Sequence, residues 1–554
     1  MSNHTFAKVP SVDIPRSSFR RDMTYKTTFN AGVLTPIFCE EVIPGDTWNL
    51  HLSSFARILS PLKYPIMDNL YMDFQFFFVP VRLVYDDYEK FFGSSKGQSG
   101  NWEYDDSHVM PGITAPTGGF TVGSIADYFG IPVGVAGIKV NALPFRAYNK
   151  IINDWYLPSV YEMTGPLIKT DSTDDSISDY SLVKRIKRCD YFTSALIAPQ
   201  RGPGATIGLA GTAPVVGNGL ALALSDGTHN FELAGRTGGS TSTGVPLYGA
   251  TVPSQGSIGD SVPIDGQVTD NNKAIGVSTN KSYSALEADL SDASAITINA
   301  LRQAFQLQRA LERDMRGGVQ YVSQLMAHFG VRSPDARLQR SEYLGGGSTP
   351  VNIHTVAQTS KSTTSAGGKV ADLAAYATSG QSQVGFVKSF TEHGYIIGLV
   401  SVRADLTYQQ GIPRMFDRWK RFDFYYPVFS HLGEQTILNK EIFAQGPSVV
   451  DSNGDIVDEK PFGYQERYGE YRYGVSKITG LLRSGVPNSL DVWHLAQQFN
   501  NLPTLSQQFL EENVPMSRVE SMTSSNDFIL DALFSCNTVR PMPLFGVPGL
   551  VDHF

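Results

Sequence analysis

Apolar and polar residues alternate along Thr47–Leu59, where Trp48, Leu50 and Leu52 are interleaved with Asn49 and His51. A period of two is the mark of a strand with one wet face. Tyr25–Phe29, Leu34–Val42 and Leu70–Val79 are likewise rich in aromatic or β-branched residues, and Pro36, Pro44-Gly45, Pro61 and Pro80 punctuate them. The stretch from Thr24 to Pro80 therefore reads as β-structure. Leu70–Val79 is apolar on both faces, with Phe74, Phe76 and Phe78 on one and Phe77 and Val79 on the other. Such a strand is expected to be enclosed on both sides.

Helical spacing appears in fewer places. Tyr85–Phe92 predicts a short helix stopped by Gly93, and Pro144–Leu157 a longer one with Ala147, Tyr148, Ile151, Ile152 and Trp155 on one face. Ile298, Leu301, Phe305, Leu311 and Met315 predict a third, broken by Gly317-Gly318. A fourth follows through Val319, Val322, Leu325, Met326 and Phe329, and these two are expected to pack beside the β-core. Leu490–Phe499 reads as a helix, whereas Tyr395–Tyr408, Phe422–Phe429 and Phe528–Ser535 read as strands.

Between these elements lie stretches of turn-forming residues. Residues 94–120 and 345–385 are rich in Gly and Ser and read as loop excursions. Residues 200–295 hold 16 of the 52 glycines but only three aromatics, Phe231, Tyr248 and Tyr283, and carry a net charge of −4. That composition cannot build a large core, so the segment reads as a surface insertion, with a disordered linker as the alternative. Strands at both ends of the chain must close on each other, and antiparallel sheets packed face to face achieve this; a jelly roll is one such architecture.

The run Met67–Gly93 (MDNLYMDFQFFFVPVRLVYDDYEKFFG) resembles the signature segment of the major capsid protein of microviruses, the small icosahedral single-stranded DNA bacteriophages, in the gokushovirus branch. Further matching blocks occur in order: Phe29-Asn30-Ala31-Gly32, Pro44-Gly45-Asp46-Thr47, Phe462–Arg472, Ile478–Ser484, Leu490–Phe499 and Pro541–Phe554. The resemblance implies a mainly β fold, an eight-stranded antiparallel jelly-roll β-barrel with large loop and helical insertions. It implies a T=1 icosahedral shell around circular single-stranded DNA, built through pentamers, located in the virion and assembled in the bacterial host cytoplasm. The partners it implies are a small basic DNA-packing protein, a minor pilot protein, a scaffolding protein and a bacterial surface receptor. The mid-chain insertion is expected to form a threefold protrusion that mediates attachment.

The organisation expected is a basic N-terminal arm over 1–30, a discontinuous core over 31–199 and 296–540, the insertion over 200–295 and an extended docking tail over 541–554. A chain of 554 residues with 41% hydrophobic content can bury a large core. No run approaches the roughly 18 apolar residues a membrane span needs, and Met1–Pro15 lacks a signal-peptide pattern, so a soluble chain without that secretion route is expected. Cys39, Cys189 and Cys536 are odd in number and far apart, which predicts reduced, buried thiols.

No catalytic or metal-binding motif is present, and no cofactor is expected. Ser60 and Lys63 share a Ser-x-x-Lys spacing, but Pro61 and Pro65 oppose the helix that would align them. Asp68 with Asp73, or Asp86, Asp87 and Glu89, are the carboxylates a glycosidase would need. The rival reading is accordingly a β-sandwich carbohydrate-binding or carbohydrate-active protein.

A net charge of −8 argues against DNA binding by bulk attraction, so DNA contact must be local or aided by a basic partner. Lys8, Arg16, Arg20, Arg21 and Lys26 against Asp13 and Asp22 give residues 1–30 a charge of +3, suited to a mobile arm facing DNA or pairing with a neighbour's acids. Lys184, Arg185, Lys187 and Arg188 form a second cluster. Arg414, Arg418, Lys420 and Arg421 form a third, interleaved with Phe416, Trp419 and Phe422. Such interleaving suits stacking on unpaired bases, and equally a packed edge with solvated charges. Phe416, Tyr464, Tyr468, Tyr471, Phe545 and Phe554 are candidate subunit contacts, the last two on a proline-spaced tail whose apolar residues should dock on its own subunit or a neighbour.

Overall fold

A computed structural model of the chain describes residues 14–94, 109–157, 165–205, five short strand segments between 215 and 288, 298–318, 320–334, 339–360, 370–522 and 526–545. Residues 203–310 form a compact unit of their own, and the remainder forms the main unit.

The main unit is built on one antiparallel sheet. Its strands are β1 (Ser17–Arg20), β2 (Met23–Phe29), β3 (Thr35–Val42), β4 (Thr47–Ile58), β5 (Leu70–Pro80), β6 (Glu342–Ala357), β7 (Leu373–Ser389), β8 (Gly394–Ala404) and β9 (Phe528–Arg540). The order is β1-β9-β4-β7-β6-β5-β8-β3, with β2 also on β9. β1 pairs with Asn537–Arg540 and β2 with Phe528–Phe534, so the two lie end to end and the nine strands fill eight positions. This is the jelly-roll plan expected from the sequence, strongly curled.

The fold line runs along β6 and β7. Residues 342–351 of β6 pair with β5, whereas 352–357 pair with β7. One strand thus serves both halves, and the halves face each other across the first core. Phe38 on β3 meets Phe534 on β9 at 4.9 Å between ring centroids, and Phe76 on β5 meets Phe386 on β7 at 5.7 Å. Burying each such ring contributes roughly 1.5–3 kcal/mol.

β5 is enclosed as its pattern predicts. Phe74, Phe76 and Phe78 enter the first core, and Phe77 and Val79 enter a second one on the sheet's other face. Helix α1 (Leu143–Ile151) covers that face with Phe145, Tyr148 and Ile151. The Tyr148 hydroxyl donates to Leu34 O at 2.8 Å, tying helix to sheet. A π-helical turn over Ile152–Tyr156 extends α1 across the remainder of the expected span.

Several expectations need correction. Residues 345–385 contain most of β6 and β7, not a loop excursion. Two of the glycines mark close approach: a Cβ on Gly346 would fall 2.3 Å from Phe74 O, and one on Gly385 1.8 Å from Leu50 O. The Leu490–Phe499 helix is absent apart from one 3₁₀ turn at Asp491–Trp493. Its backbone donors are taken by distant side chains instead, Leu495 N by Asp68 and Phe499 N by Gln410. Phe422–Phe429 forms 3₁₀ turns, since Pro427 interrupts it and no partner strand is hydrogen-bonded to it.

The helix expected over Tyr85–Phe92 begins later, ends in a π-turn over Lys90–Ser94, and includes Gly93 instead of stopping there. Helix α2 (Ile298–Gly317) and the shorter Tyr321–Phe329 segment exist, but none of the three cores includes a described residue of either. Met326 and Phe329 are exposed, whereas Met315 near the end of α2 is buried and Arg316 pairs with Glu434. From residue 17 the basic arm is strand, not a mobile segment. Cys39 is partly buried, Cys536 buried and Cys189 exposed, so the third thiol departs from the expectation. Burial pushes the Cys39 thiol up to about 12, which keeps it protonated.

Candidate assembly surface

A third core forms away from the sheet around Tyr191, Phe192, Ile437, Ile442, Phe462 and Phe509. The antiparallel pair Glu434–Leu438 and Pro461–Glu466 gives it a rigid floor. Residues 409–432 wrap over this floor in short 3₁₀ turns. Gly411 allows the wrap, because a Cβ there would fall 1.9 Å from Glu441 O.

Charge pairing anchors the inner side of the wrap. Arg414 donates to Glu441 Oε1 at 2.9 Å and to Thr436 O at 2.6 Å, while the Tyr191 hydroxyl donates to Glu441 Oε2 at 3.0 Å. Burial raises the Glu441 pKa and the adjacent Arg414 guanidinium opposes that rise. Arg418 donates to Glu470 at 2.9 Å and lies 4.5 Å from the Tyr471 ring centre.

The outer side of the wrap is apolar and uncovered. Trp419 is 81% exposed, Val428 83%, Phe416 61% and Tyr471 54%. Phe422 packs against Phe429 at 5.7 Å, and Tyr425 against Tyr471 at 5.9 Å, which join the rings into one surface. A cavity of ≈ 610 Å³ opens beside it, lined by Tyr408, Ile412, Phe416, Tyr473 and Ile478 among others.

The interface candidates divide on this surface. Phe416 and Tyr471 stand on it, Tyr464 is half-buried, and Phe545 is exposed on the tail. Tyr468 is buried in its own subunit, with its hydroxyl accepting from Tyr426 N at 3.3 Å, so it offers no free face. Phe554 lies outside the described residues. Met542, Leu544 and Phe545 are exposed, so this part of the tail does not dock on its own subunit.

The DNA-facing candidates form two groups. Along β1 and β2, Arg16 donates to Thr47 Oγ1, Arg20 pairs with Asp22, Arg21 with Glu40 and Lys26 with Asp531. On the wrap, Arg414 is committed to the buried Glu441 and Arg418 to the half-buried Glu470, whereas Lys420 and Arg421 are exposed and Arg421 lies over Phe422 and Tyr426. In the second cluster Arg185 holds Asp73 at 2.7 Å, and Lys187 is buried against Phe509, where burial lowers it to about 8.

Asp68 and Asp73, two of the acids weighed for chemistry, serve packing, whereas Asp86 and Glu89 are exposed. Asp73 takes Arg185 and Arg403, Asp68 caps Leu495 N, and Ser60 Oγ accepts from Met522 N at 2.9 Å. Burial raises the Asp73 carboxyl, and its bonds from Ser348, Arg185 and Arg403 more than offset that, leaving it below its ordinary value.

Residues 7–550 match the family model of the phage capsid protein, the F protein. The chain belongs to this capsid family. It is 43% identical to capsid protein VP1 of Bdellovibrio phage phiMH2K, covering 100% of this chain and 99% of that one. It is 40% identical to capsid protein VP1 of Chlamydia phage 1 (98% and 97% covered) and 37% to that of Spiroplasma virus 4 (99% and 97%). A capsid protein acts through surfaces that meet other chains, and the exposed aromatic wrap has that character. The exposure of Val428 was not legible, because the aromatic density of 422–429 matched a strand. The available signal was the three prolines Pro413, Pro427 and Pro447 flanking and interrupting it.

Proposed function

We propose that this capsid protein is the major subunit of a T=1 icosahedral shell, assembled through pentamers around a circular single-stranded DNA genome. The observation that carries the reading is the aromatic wrap over 412–432 and 471–482, which a lone subunit leaves in water. Obligate contacts of a permanent shell bury on the order of 2,000 Å² or more and are rich in aromatic residues.

DNA contact falls to the cations that face solvent, Arg20, Lys26, Lys420 and Arg421, with Arg16, Arg21, Arg414 and Arg418 acting through the acids and oxygens they hold. A charge of −8 leaves most phosphates unneutralised, which favours a small basic packing protein inside the shell. Residues 200–295, acidic and glycine-rich, are suited to an outward protrusion that meets a bacterial surface receptor. A minor pilot protein and a scaffolding protein complete the partners, with assembly in the host cytoplasm.

Electron microscopy and sedimentation of the purified chain test the reading. Discrete shells or pentamers are expected. A stable monomer that binds or cleaves saccharides would instead favour the carbohydrate-active alternative.

A further inference from the structure

We propose that the tail segment 546–554 of one copy docks in the aromatic cavity beside the wrap of a neighbouring copy. This rests on the shell reading above and names the contact that links its subunits.

Three observations meet here. The first is the tail itself. β9 ends at Arg540, and the Pro541 ring lies 3.4 Å from where a Cβ on Gly45 would stand. Beyond it Met542, Leu544 and Phe545 point into solvent, and the chain continues with Val547, Leu550, Val551 and Phe554. So much apolar surface in water is costly, at roughly 25 cal/mol per Å².

The second is position. Val539 pairs with Thr47, Thr47 with Ser389, and Gly394 with Val42 and Pro80, so the tail leaves at the end of the sheet where β8 begins. The cavity starts at Tyr408 and Gln409, just past the other end of β8. A strand of this length spans about 34 Å. Tail and cavity thus stand at opposite ends of one subunit, the arrangement of a head-to-tail contact, which forms a ring where the rotation between copies closes.

The third is charge and size. Glu441 and Glu470 in the cavity wall are taken by Arg414 and Arg418. Lys477 and Arg483 in the same wall have no acidic partner among the described residues, which leaves a surplus of two positive charges. The tail segment carries Asp552 and no Lys or Arg. A volume of ≈ 610 Å³ takes a few apolar side chains, within the range of roughly 300–1,000 Å³ usual for binding clefts.

Disulfide trapping tests the contact in a Cys189→Ser background, which removes the exposed thiol. Chains carrying only Leu550→Cys are mixed with chains carrying only Thr479→Cys and allowed to assemble. A cross-linked two-chain species is expected, and Lys477→Glu with Arg483→Glu should lower its yield about tenfold. Shells that assemble with no such cross-link would overturn the proposal while leaving the shell reading intact. A chain ending at Phe545 that assembles as readily as the full chain would do the same. If the full chain forms no oligomer at all, the shell reading falls and this one with it.

Discussion

The Arg146 guanidinium grips the Asp175 carboxylate with two parallel hydrogen bonds, each 2.8 Å long, in a site where both side chains are withdrawn from water. Arg146 also donates to Val84 O, Asp171 O and Thr173 O, so one side chain ties α1 to the chain on both sides of it. Removing one member of a buried pair leaves the other uncompensated, which costs roughly 3–5 kcal/mol. Arg146→Met is expected to lower subunit stability by about that much, read as the midpoint of urea unfolding.

The same pair sets an acid response. Burial pushes the Asp175 carboxyl up, and its bonds from Arg146 and Tyr180 outweigh burial, leaving it below the ordinary value. The ionised form therefore favours the folded state above about pH 4, and that contribution is lost as pH falls through the lower folded value. Unfolding midpoints measured from pH 5 to pH 3 should fall more steeply for the natural chain than for Asp175→Asn.

Glu520 behaves in the opposite sense. It is buried, its Oε1 lacks a hydrogen-bond partner among the described residues, and burial, reinforced by Asp527, raises its carboxyl to about 8. The folded chain keeps this proton while the unfolded chain loses it near pH 4, so stability from this group is full below that and drains as pH rises toward 8. Glu520→Gln should flatten the slope, with a relative gain on the order of 1–3 kcal/mol between pH 5 and pH 8.5. An unchanged slope would show that Glu520 is not the group responsible.

A methyl at Gly385 has no space, because it would meet Leu50 O at 1.8 Å, whereas one at Gly380 would meet nothing within 4 Å. Gly385→Ala is expected to cost about 1–3 kcal/mol by overpacking. Gly380→Ala should cost far less, and thermal unfolding of the two variants side by side separates close approach from strand propensity.

Trp419 contributes to no core yet presents most of its ring to solvent. Trp419→Ser should leave subunit unfolding within about 0.5 kcal/mol of the natural chain. Assembly should weaken by about 2 kcal/mol or more, as for a buried interface anchor. Sedimentation at graded protein concentration distinguishes this from a simple loss of fold.

Arg201 N donates to Leu311 O at 3.2 Å, so the ends of the 203–310 unit meet and a short glycine-serine link can replace it. Particles lacking it are expected to assemble but to adsorb poorly to host cells. Failure to form any particle would contradict an accessory role.

Much of the sheet was legible because its strands carry their burial in their own residues. Phe74, Phe76, Phe78 against Phe77, Val79 on β5 is a two-sided pattern that only an enclosed strand needs. β6 and β7 were not legible, because Gly345, Gly346 and Gly385 look like loop residues until another backbone is laid against them. The exposed aromatic surface was half legible: Phe416 and Tyr471 stood out as aromatics, but nothing local shows that Tyr468 turns inward and Trp419 outward. The pairing of the basic clusters was not legible for the same reason, since Arg414, Arg418 and Arg185 find their acids 27, 52 and 112 positions away.

The sequence by itself determined the capsid kinship, the β-rich core and the extra segment between 200 and 295, because periodicity, composition and motif order are local properties. Tertiary structure decided which apolar residues are core and which are left for a neighbour, and which cations are free. Those depend on pairing across hundreds of residues, where the physics of close approach, desolvation and charge partnering acts only after the chain has closed on itself.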